Sequence, residues 1–219
     1  MVHPHSQFAA PAPQRQQTVR LPRAFFNRDT VQVARELLGT VLVHLLQDGT
    51  RLSGRITETE AYVPGDAASH GDRGRTQRNA PMFMQAGNAY VYFIYGIHYC
   101  FNVVTEGEGV PAAVLIRAVQ PIDGINVMRQ NRMRRYNLRF SKNLRLSNLT
   151  NGPGKLCQAF AIDRSANGVD LCDAGSRLFV ELGRSDQSGQ SGRIEATPRI
   201  GISGDEAAKL ALWRFVLRD

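Results

Sequence analysis

Between Glu58 and His70 the chain brings together two carboxylates at alternating positions, a phenol at Tyr62, a further carboxylate at Asp66 and an imidazole. If Glu58, Glu60 and Tyr62 belong to one strand, their two-residue spacing sets all three on one face, with Thr59 and Ala61 opposite. A carboxylate beside an aromatic wall can take a proton from water or stabilise cationic character in a substrate. The same residues would also serve as an ordinary solvent-facing strand with one packed tyrosine. A paired-carboxylate glycosidase arrangement is not specified, because neighbours on one strand fix no separation across a substrate. A metal site is specified still less: Asp66 and His70 fall in an irregular stretch, and no third ligand stands at a recognisable spacing.

A second group, from Ala89 to Asn102, is dense in tyrosine and phenylalanine. Alternation would place Tyr90, Tyr92 and Ile94 on one face and Val91, Phe93 and Tyr95 on the other, while a turn at Gly96 can thrust Tyr95 or Ile97 clear of the sheet. An aromatic at such a tip either packs beneath a loop or enters a stack of bases as a wedge. A third feature is electrostatic. From Gly124 to Ile162 there are eight basic residues and no acidic one, namely Arg129, Arg132, Arg134, Arg135, Arg139, Lys142, Arg145 and Lys155. That interval is either a local anion-binding surface or a solvated helix and loop.

Several elements must position these residues. Val31, Ala34, Leu37 and Leu38 recur at helical spacing behind a cap at Asp29 or Thr30 and before a stop at Gly39, which predicts a helix over 30–38. Thr40 to Leu46 and Thr50 to Glu60 flank an Asp48-Gly49 turn and read as a hairpin. Tyr90 to Ile97, His98 to Val104 and Ala112 to Val119 read as three further strands, and Pro64 to Gly87 as a long functional loop. Helices are expected over 124–134 and 154–161, and late strands over Val169–Val180 and Arg193–Ile202, separated by a polar stretch from Gly183 to Gly192.

The fold class is therefore mixed α/β, with a largely antiparallel or mixed sheet. Residues 1–17, rich in Ala, Pro and Gln, are expected to form a flexible arm before a single domain over 18–219. The 219 residues carry 27 basic and 19 acidic side chains, a formal charge of +8, and 42% of them are hydrophobic, which excludes an acidic solvating tail and argues against wholesale disorder. All the basic residues but Lys142, Lys155 and Lys209 are arginine, which suits planar contacts with phosphates or carboxylates. Cys100, Cys157 and Cys172 form no CxxC pair and no even-numbered framework, and there is no basic-then-apolar leader and no apolar stretch long enough to span a bilayer. An intracellular protein, in the cytoplasm or nucleoid if bacterial, is the expectation.

Five ordered segments make the reading specific: Glu58-Thr59-Glu60-Ala61-Tyr62, Gly74-Arg75-Thr76-Gln77-Arg78-Asn79, Met82-Phe83-Met84, Tyr90-Val91-Tyr92 with Ile94-Tyr95-Gly96, and Gly152-Pro153-Gly154-Lys155-Leu156-Cys157-Gln158-Ala159. From Leu21-Pro22 to Arg218 the chain resembles the alkyladenine (3-methyladenine, or N-methylpurine) DNA glycosylase family. The resemblance implies a curved, largely antiparallel sheet with surrounding helices and a protruding hairpin that intercalates into DNA. It implies that Glu60 activates water, with Arg117 beside it, and that Tyr62, His70 and Tyr92 surround a flipped base. Asn102 would crowd the exocyclic amine of normal guanine, and Tyr95, assisted by Ile97, would fill the space that the base vacates. Candidates for contacts with the DNA backbone are Arg75, Arg78, Arg129, Arg132 and Lys155, with Arg199 in Pro198-Arg199-Ile200-Gly201 matching another family segment near the active region.

The activity implied is monofunctional hydrolysis of the N-glycosidic bond of 3-methyladenine, 7-methylguanine, hypoxanthine or ethenoadenine in double-stranded DNA, by a monomer without metal or organic cofactor. Two alternatives remain at this level. A glycosylase/lyase would use an amine such as that of Lys142 or Lys155, and a noncatalytic module would bind distorted duplexes only.

Overall fold

In the computed structural model, which describes residues 19–134, 144–183 and 192–218, two short helices, α1 (Arg23–Phe26) and α2 (Thr30–Glu36), precede the sheet. Asp29 caps α2 by accepting from the Gln32 amide at 2.8 Å, and Val33, Ala34 and Leu37 turn inward. The expected hairpin follows as β1 (Val41–Leu45) and β2 (Arg51–Tyr62), closed by Gly49 at φ +84°. The long loop comes next, holding one turn of 3-10 helix at Ala80–Phe83. A second hairpin, β3 (Ala89–Ile94) and β4 (His98–Val104), leads into β5 (Ala113–Asp123) and α3 (Ile125–Arg134). Then come α4 (Pro153–Ala159), with proline at its first position, β6 (Leu178–Glu181), β7 (Arg193–Thr197), α5 (Glu206–Leu210) and β8 (Arg214–Arg218).

All eight strands join one curled sheet in which every pairing is antiparallel. The main order is β3-β4-β5-β2-β1-β6. β2 runs between β5 on one side and, on the other, first β1 and then β8, which carries β7 outside it. One face packs α2 and α4, the latter through Leu156, over Leu42, Ile56, Phe101, Ile116 and Phe215. Thr59 belongs to this face, since its hydroxyl donates to the Ala34 carbonyl at 2.7 Å in a buried contact. The opposite face carries a smaller cluster of Met82, Tyr90, Val104 and Ala113, against which Tyr62, Phe83 and Tyr92 pack.

The strand expected over Tyr90–Ile97 stops at Ile94, where the turn begins, and the two late strands are much shorter than read. Of Val169–Val180 only the end is strand, because Asp170 and Asp173 accept from the amides of Cys172 (2.9 Å) and Gly175 (2.7 Å) and turn the preceding segment on itself. The strand expected over Arg193–Ile202 ends at Thr197, before Pro198, which has no N–H to extend the ladder. The short helices α1 and α5 and the last strand, β8, were not among the expected elements. The expected arm (1–17), most of the polar stretch at 184–191, and Arg135, Arg139 and Lys142 lie outside the described residues, as does the side chain of Arg134. Among the described residues no helix is long and apolar enough to cross a membrane.

The passage from β5 into α3 depends on Gly124, at φ +75°, where an added Cβ would sit 2.4 Å from Leu52 Cδ2 and 2.7 Å from the Arg51 carbonyl oxygen. Gly49 has a similar φ of +84° but open space around it. Gly124→Ala should therefore cost about 3 kcal/mol or more, against about 1–2 kcal/mol for Gly49→Ala, where only the backbone preference is lost. Denaturant midpoints of the two variants test this, and equal midpoints would contradict the packing argument.

Candidate active site

Backbone register places the site in one row across five strands. Tyr90 pairs with Asn102, Asn102 with Leu115, Leu115 with Glu60, and Glu60 with Arg214. Directly paired residues in antiparallel strands project to the same side, so the row shares the face that carries Tyr62 and Tyr92. A bulge refines it. Glu58 pairs with Ala118 but Thr59 with Ile116, which leaves Arg117 as the extra residue of β5. Arg117 follows Leu115 by two residues and so lies on the same side, where, unpaired in the ladder, it donates to both carboxylates.

Glu60 has 0% of its surface exposed. A buried carboxylate is tolerated only when its lone pairs are met, and three donors meet them. Oε1 accepts from the Ile200 amide at 2.8 Å, and Oε2 from the Tyr62 hydroxyl at 3.0 Å and from Arg117 Nη1 at 3.1 Å. Arg117 Nε donates to Glu58 Oε1 at 2.8 Å, and Arg214 Nε donates to the same oxygen at 2.7 Å. Burial would lower the Arg117 pKa, but the charges of Glu60 and Glu58 outweigh it and raise it further. Burial, with the Glu60 charge adding to it, pushes the Tyr62 phenol well above its ordinary range, so Tyr62 stays a neutral donor. Glu58, Glu60 and Tyr62 therefore do share a face, as their spacing predicts, and Arg117 joins them.

His70 and Tyr92 make a second group beside the first. Their rings stand edge to face with centroids 4.5 Å apart, and His70 Nδ1 lies 2.8 Å from the Tyr90 hydroxyl. Asn79 anchors the loop beneath by donating to the carbonyls of His70 (2.6 Å) and Gly74 (3.0 Å). Burial, followed by the nearby Arg78 charge, holds the His70 pKa below its ordinary 6.5, and burial likewise raises both Tyr90 and Tyr92. Asn102 is buried and donates Nδ2 to the Tyr90 carbonyl at 2.9 Å. At the hairpin tip Tyr95 is 79% exposed at φ +53°, followed by Gly96 at φ +68°, the signature of a type I′ turn, with Ile97 also exposed. A cleft of about 570 Å³ opens beside this hairpin between Arg78, Tyr92, Phe93 and Tyr99.

The basic candidates divide. Arg75 and Arg78 are exposed on the loop, Arg78 donating to the Phe93 carbonyl at 3.2 Å. Arg129 and Arg132 lie on α3, where Arg132 reaches across to Gln158 of α4, and Lys155 donates to Asn151 Oδ1 at 2.8 Å. Arg199 departs from the expectation. Its side chain is fully buried, both terminal nitrogens donate to Asp66 and to the carbonyls of Ala61 and Ala208, and it stacks on Tyr62 and Trp213. A phosphate contact is not open to it in this arrangement, and its charge is spent inside the protein, fixing Tyr62 and the segment that presents the Ile200 amide. Asp66, read as a weak metal candidate, is its partner. Among the described residues no group of three or more His, Cys, Asp or Glu is arranged to hold a metal ion. Arg214, Thr197, Tyr90 and the Ile200 amide were not among the candidates. Only the short apolar run Phe215-Val216-Leu217 between two arginines was there to be read, and such a run shows nothing of its neighbour.

Fold and site together define a protein with one buried, charge-compensated carboxylate beside a cluster of aromatic rings, and an exposed tyrosine at the tip of an edge hairpin. The family model described as methylpurine-DNA glycosylase matches residues 24–219, and the chain belongs to that family. It is 50% identical over 202 residues to a protein of Desulfitobacterium hafniense named "Putative 3-methyladenine DNA glycosylase", covering 91% of this chain and 96% of that one. Proteins of the same name from Clostridium acetobutylicum (46% over 202 residues; 91% and 95% covered) and Methanocella arvoryzae (46% over 198 residues; 89% and 90% covered) are similar throughout.

The Arg199–Asp66 pair can be tested apart from any chemistry. Arg199→Gln leaves a buried carboxylate without its cation and should lower stability by about 3–5 kcal/mol, whereas exposed Arg75→Gln should stay within about 0.5 kcal/mol of wild type. Thermal melting of both variants checks this, and an Arg199→Gln protein as stable as wild type would refute the buried role.

Proposed function

We propose that the protein is a DNA glycosylase that excises alkylated or deaminated purines (3-methyladenine, 7-methylguanine, hypoxanthine, with ethenoadenine a further candidate) from double-stranded DNA and leaves an abasic site. The observation that carries this reading is Glu60, fully buried yet met by the Arg117 guanidinium and the Tyr62 hydroxyl, with His70 and Tyr92 close by, in a member of the methylpurine-DNA glycosylase family. The flipped base stacks among these aromatic rings, whose faces suit planar, electron-poor purines. Water attacks C1′ of the deoxyribose, the N-glycosidic bond breaks with its electron pair leaving on the base, and the water proton passes to Glu60. Alkylation at N3 or N7 makes the leaving base cationic and lowers the barrier in advance, while the Glu60 charge stabilises the developing sugar cation. Asn102, in the same row as Glu60, is the filter against the guanine amine.

Tyr95 is the wedge. A non-glycine residue with a left-handed backbone is disfavoured by about 1–2 kcal/mol, and an exposed aromatic ring returns none of that through packing. The turn makes sense if the ring has an occupant's role elsewhere, in the space left by the rotated nucleotide. Exposed Arg75 and Arg78, with Arg129, Arg132 and Lys155, line the phosphate path, and the enzyme acts as a monomer on duplex DNA without a metal or organic cofactor. The reaction is hydrolysis alone, with no covalent enzyme–DNA imine.

Direct detection of free base from duplexes carrying 7-methylguanine, hypoxanthine or 3-methyladenine tests the reading, and an inert wild type across that panel would refute it. Borohydride trapping of an enzyme–DNA adduct would defeat the purely hydrolytic course. Glu60→Gln should keep lesion binding and lose about 10²- to 10⁴-fold in single-turnover excision, and Tyr95→Ala should impair flipping on intact duplex while nonspecific binding persists. Unchanged excision in the first, or unchanged flipping in the second, removes that residue's role.

A pH dependence follows from His70. Because its pKa lies below the ordinary 6.5, the ring is neutral at pH 7 and gains a proton only in more acidic solution. Protonation then sets a cation against cationic 7-methylguanine but not against neutral hypoxanthine. Binding to the Glu60→Gln protein should weaken for 7-methylguanine between about pH 7 and about pH 5, with hypoxanthine less affected, and His70→Asn should remove the difference. Parallel curves for the two bases would contradict it.

A further inference from the structure

We propose that Arg214 is a positioning residue for the Glu60 chemistry: it holds Glu58, and through Glu58 it sets Arg117 against the reacting carboxylate. This deepens the glycosylase reading above and rests on it.

The argument begins with what an arginine does when left to one carboxylate. Its fork matches both oxygens, and a two-bond clamp is the favoured outcome. Arg117 makes no such clamp. It gives Nε to Glu58 (2.8 Å) and Nη1 to Glu60 (3.1 Å), spanning two carboxylates instead of closing on one. The reason lies on the far side of Glu58. Arg214 Nε donates to the same Oε1 at 2.7 Å, so Glu58 already has a cation of its own and does not rotate the Arg117 guanidinium onto itself and away from Glu60. Two carboxylates and two guanidiniums then balance within one cluster, every member of which is at most 18% exposed.

Arg214 is itself fixed from two directions. As the first residue of β8 its backbone is paired with Glu60 on one side and with Thr197 of β7 on the other, and its Nη1 donates to Thr197 Oγ1 at 3.0 Å. A phosphate-binding arginine would be exposed and extended, whereas this one is 18% exposed and engaged at two nitrogens. With Arg214 neutralised, Glu58 is left with Arg117 alone and draws its guanidinium into a side-on clamp through Nε and Nη2, a rotation that shifts Nη1 from its place at Glu60. A displacement of about 1 Å in a reacting group can cost about 10²-fold in rate without weakening substrate binding.

The test measures single-turnover release of hypoxanthine at saturating full-length enzyme, with lesion-duplex affinity and thermal melting determined in parallel. Arg214→Gln should slow release by about 10- to 100-fold while affinity stays at the wild-type value, and Arg214→Lys, which restores the charge without the fork, should recover part of the loss. The decisive readout is the double variant. If Arg214 acts through Arg117, then Arg117→Gln with Arg214→Gln is no slower than Arg117→Gln alone. Rates that multiply, or an Arg214→Gln protein as fast as wild type, overturn the proposal. Should Arg214→Gln fail to fold, Thr197→Val removes only the hydroxyl that steadies Arg214 and should slow release in the same direction, and a wild-type rate there overturns it too. A wild type that releases no base at all defeats the glycosylase reading and this one with it, whereas an active wild type with an unaffected Arg214→Gln defeats only the positioning role.

Discussion

The structure turns on the cost of burying Glu60 as a charge. An isolated carboxylate taken fully out of water costs far more than a domain's net stability, so the chain must bring it compensation from several directions. It does so from four places: Tyr62 of the same strand, Arg117 of β5, the Ile200 amide from the segment after β7, and Arg214 of β8 by way of Glu58. Those requirements explain the connectivity. β2 needs β5 along one edge, and it must exchange β1 for β8 along the other as it approaches Glu60. The late part of the chain is thus a component of the site and not a covering added to it.

The same sheet separates the packed core from the candidate site by its pleat. Thr59 points back to the α2 carbonyl of Ala34, while Glu58 and Glu60 on either side point to the guanidiniums. Tyr90 and Asn102 carry the row outward to the hairpin, so that the carboxylate, the aromatic rings and the exposed tip sit on one continuous piece of antiparallel sheet. A site built on strands holds its geometry more closely than one built on loops alone. Two loop groups are involved: His70 is tied down by Asn79, and the segment of Ile200 by the buried Arg199 beside it.

Much of this was legible in the sequence, because it depends on local period. The two-residue spacing of Glu58, Glu60 and Tyr62 put them on a face, Asp48-Gly49 gave the first hairpin, and Tyr95-Gly96 gave the second turn. What was hidden depends on contacts across the fold. Arg214 reaches Glu58 over 156 positions, and nothing local distinguishes it from the other arginines. The bulge that frees Arg117 exists only in the pairing of β2 with β5. Segment 169–177 looked like a strand because Val169 and Leu171 are apolar, yet Asp170 and Asp173 supplied turns that outcompete a ladder.

Arg199 shows why composition alone misleads about the charge. The formal +8 counts every arginine equally, but burial divides them into two populations. Arg117, Arg199 and Arg214 are matched inside the protein by Glu60, Glu58 and Asp66, so together they add nothing to the field outside. Three cations and three anions cancel there, and the whole excess of +8 falls on the remaining residues. The interior arginines therefore leave the long-range attraction for a polyanion undiminished while fixing a single carboxylate in place. One residue type performs both tasks because the guanidinium keeps its charge when buried and presents its donors in a rigid plane, which a lysine at Arg117 could not do for two carboxylates at once.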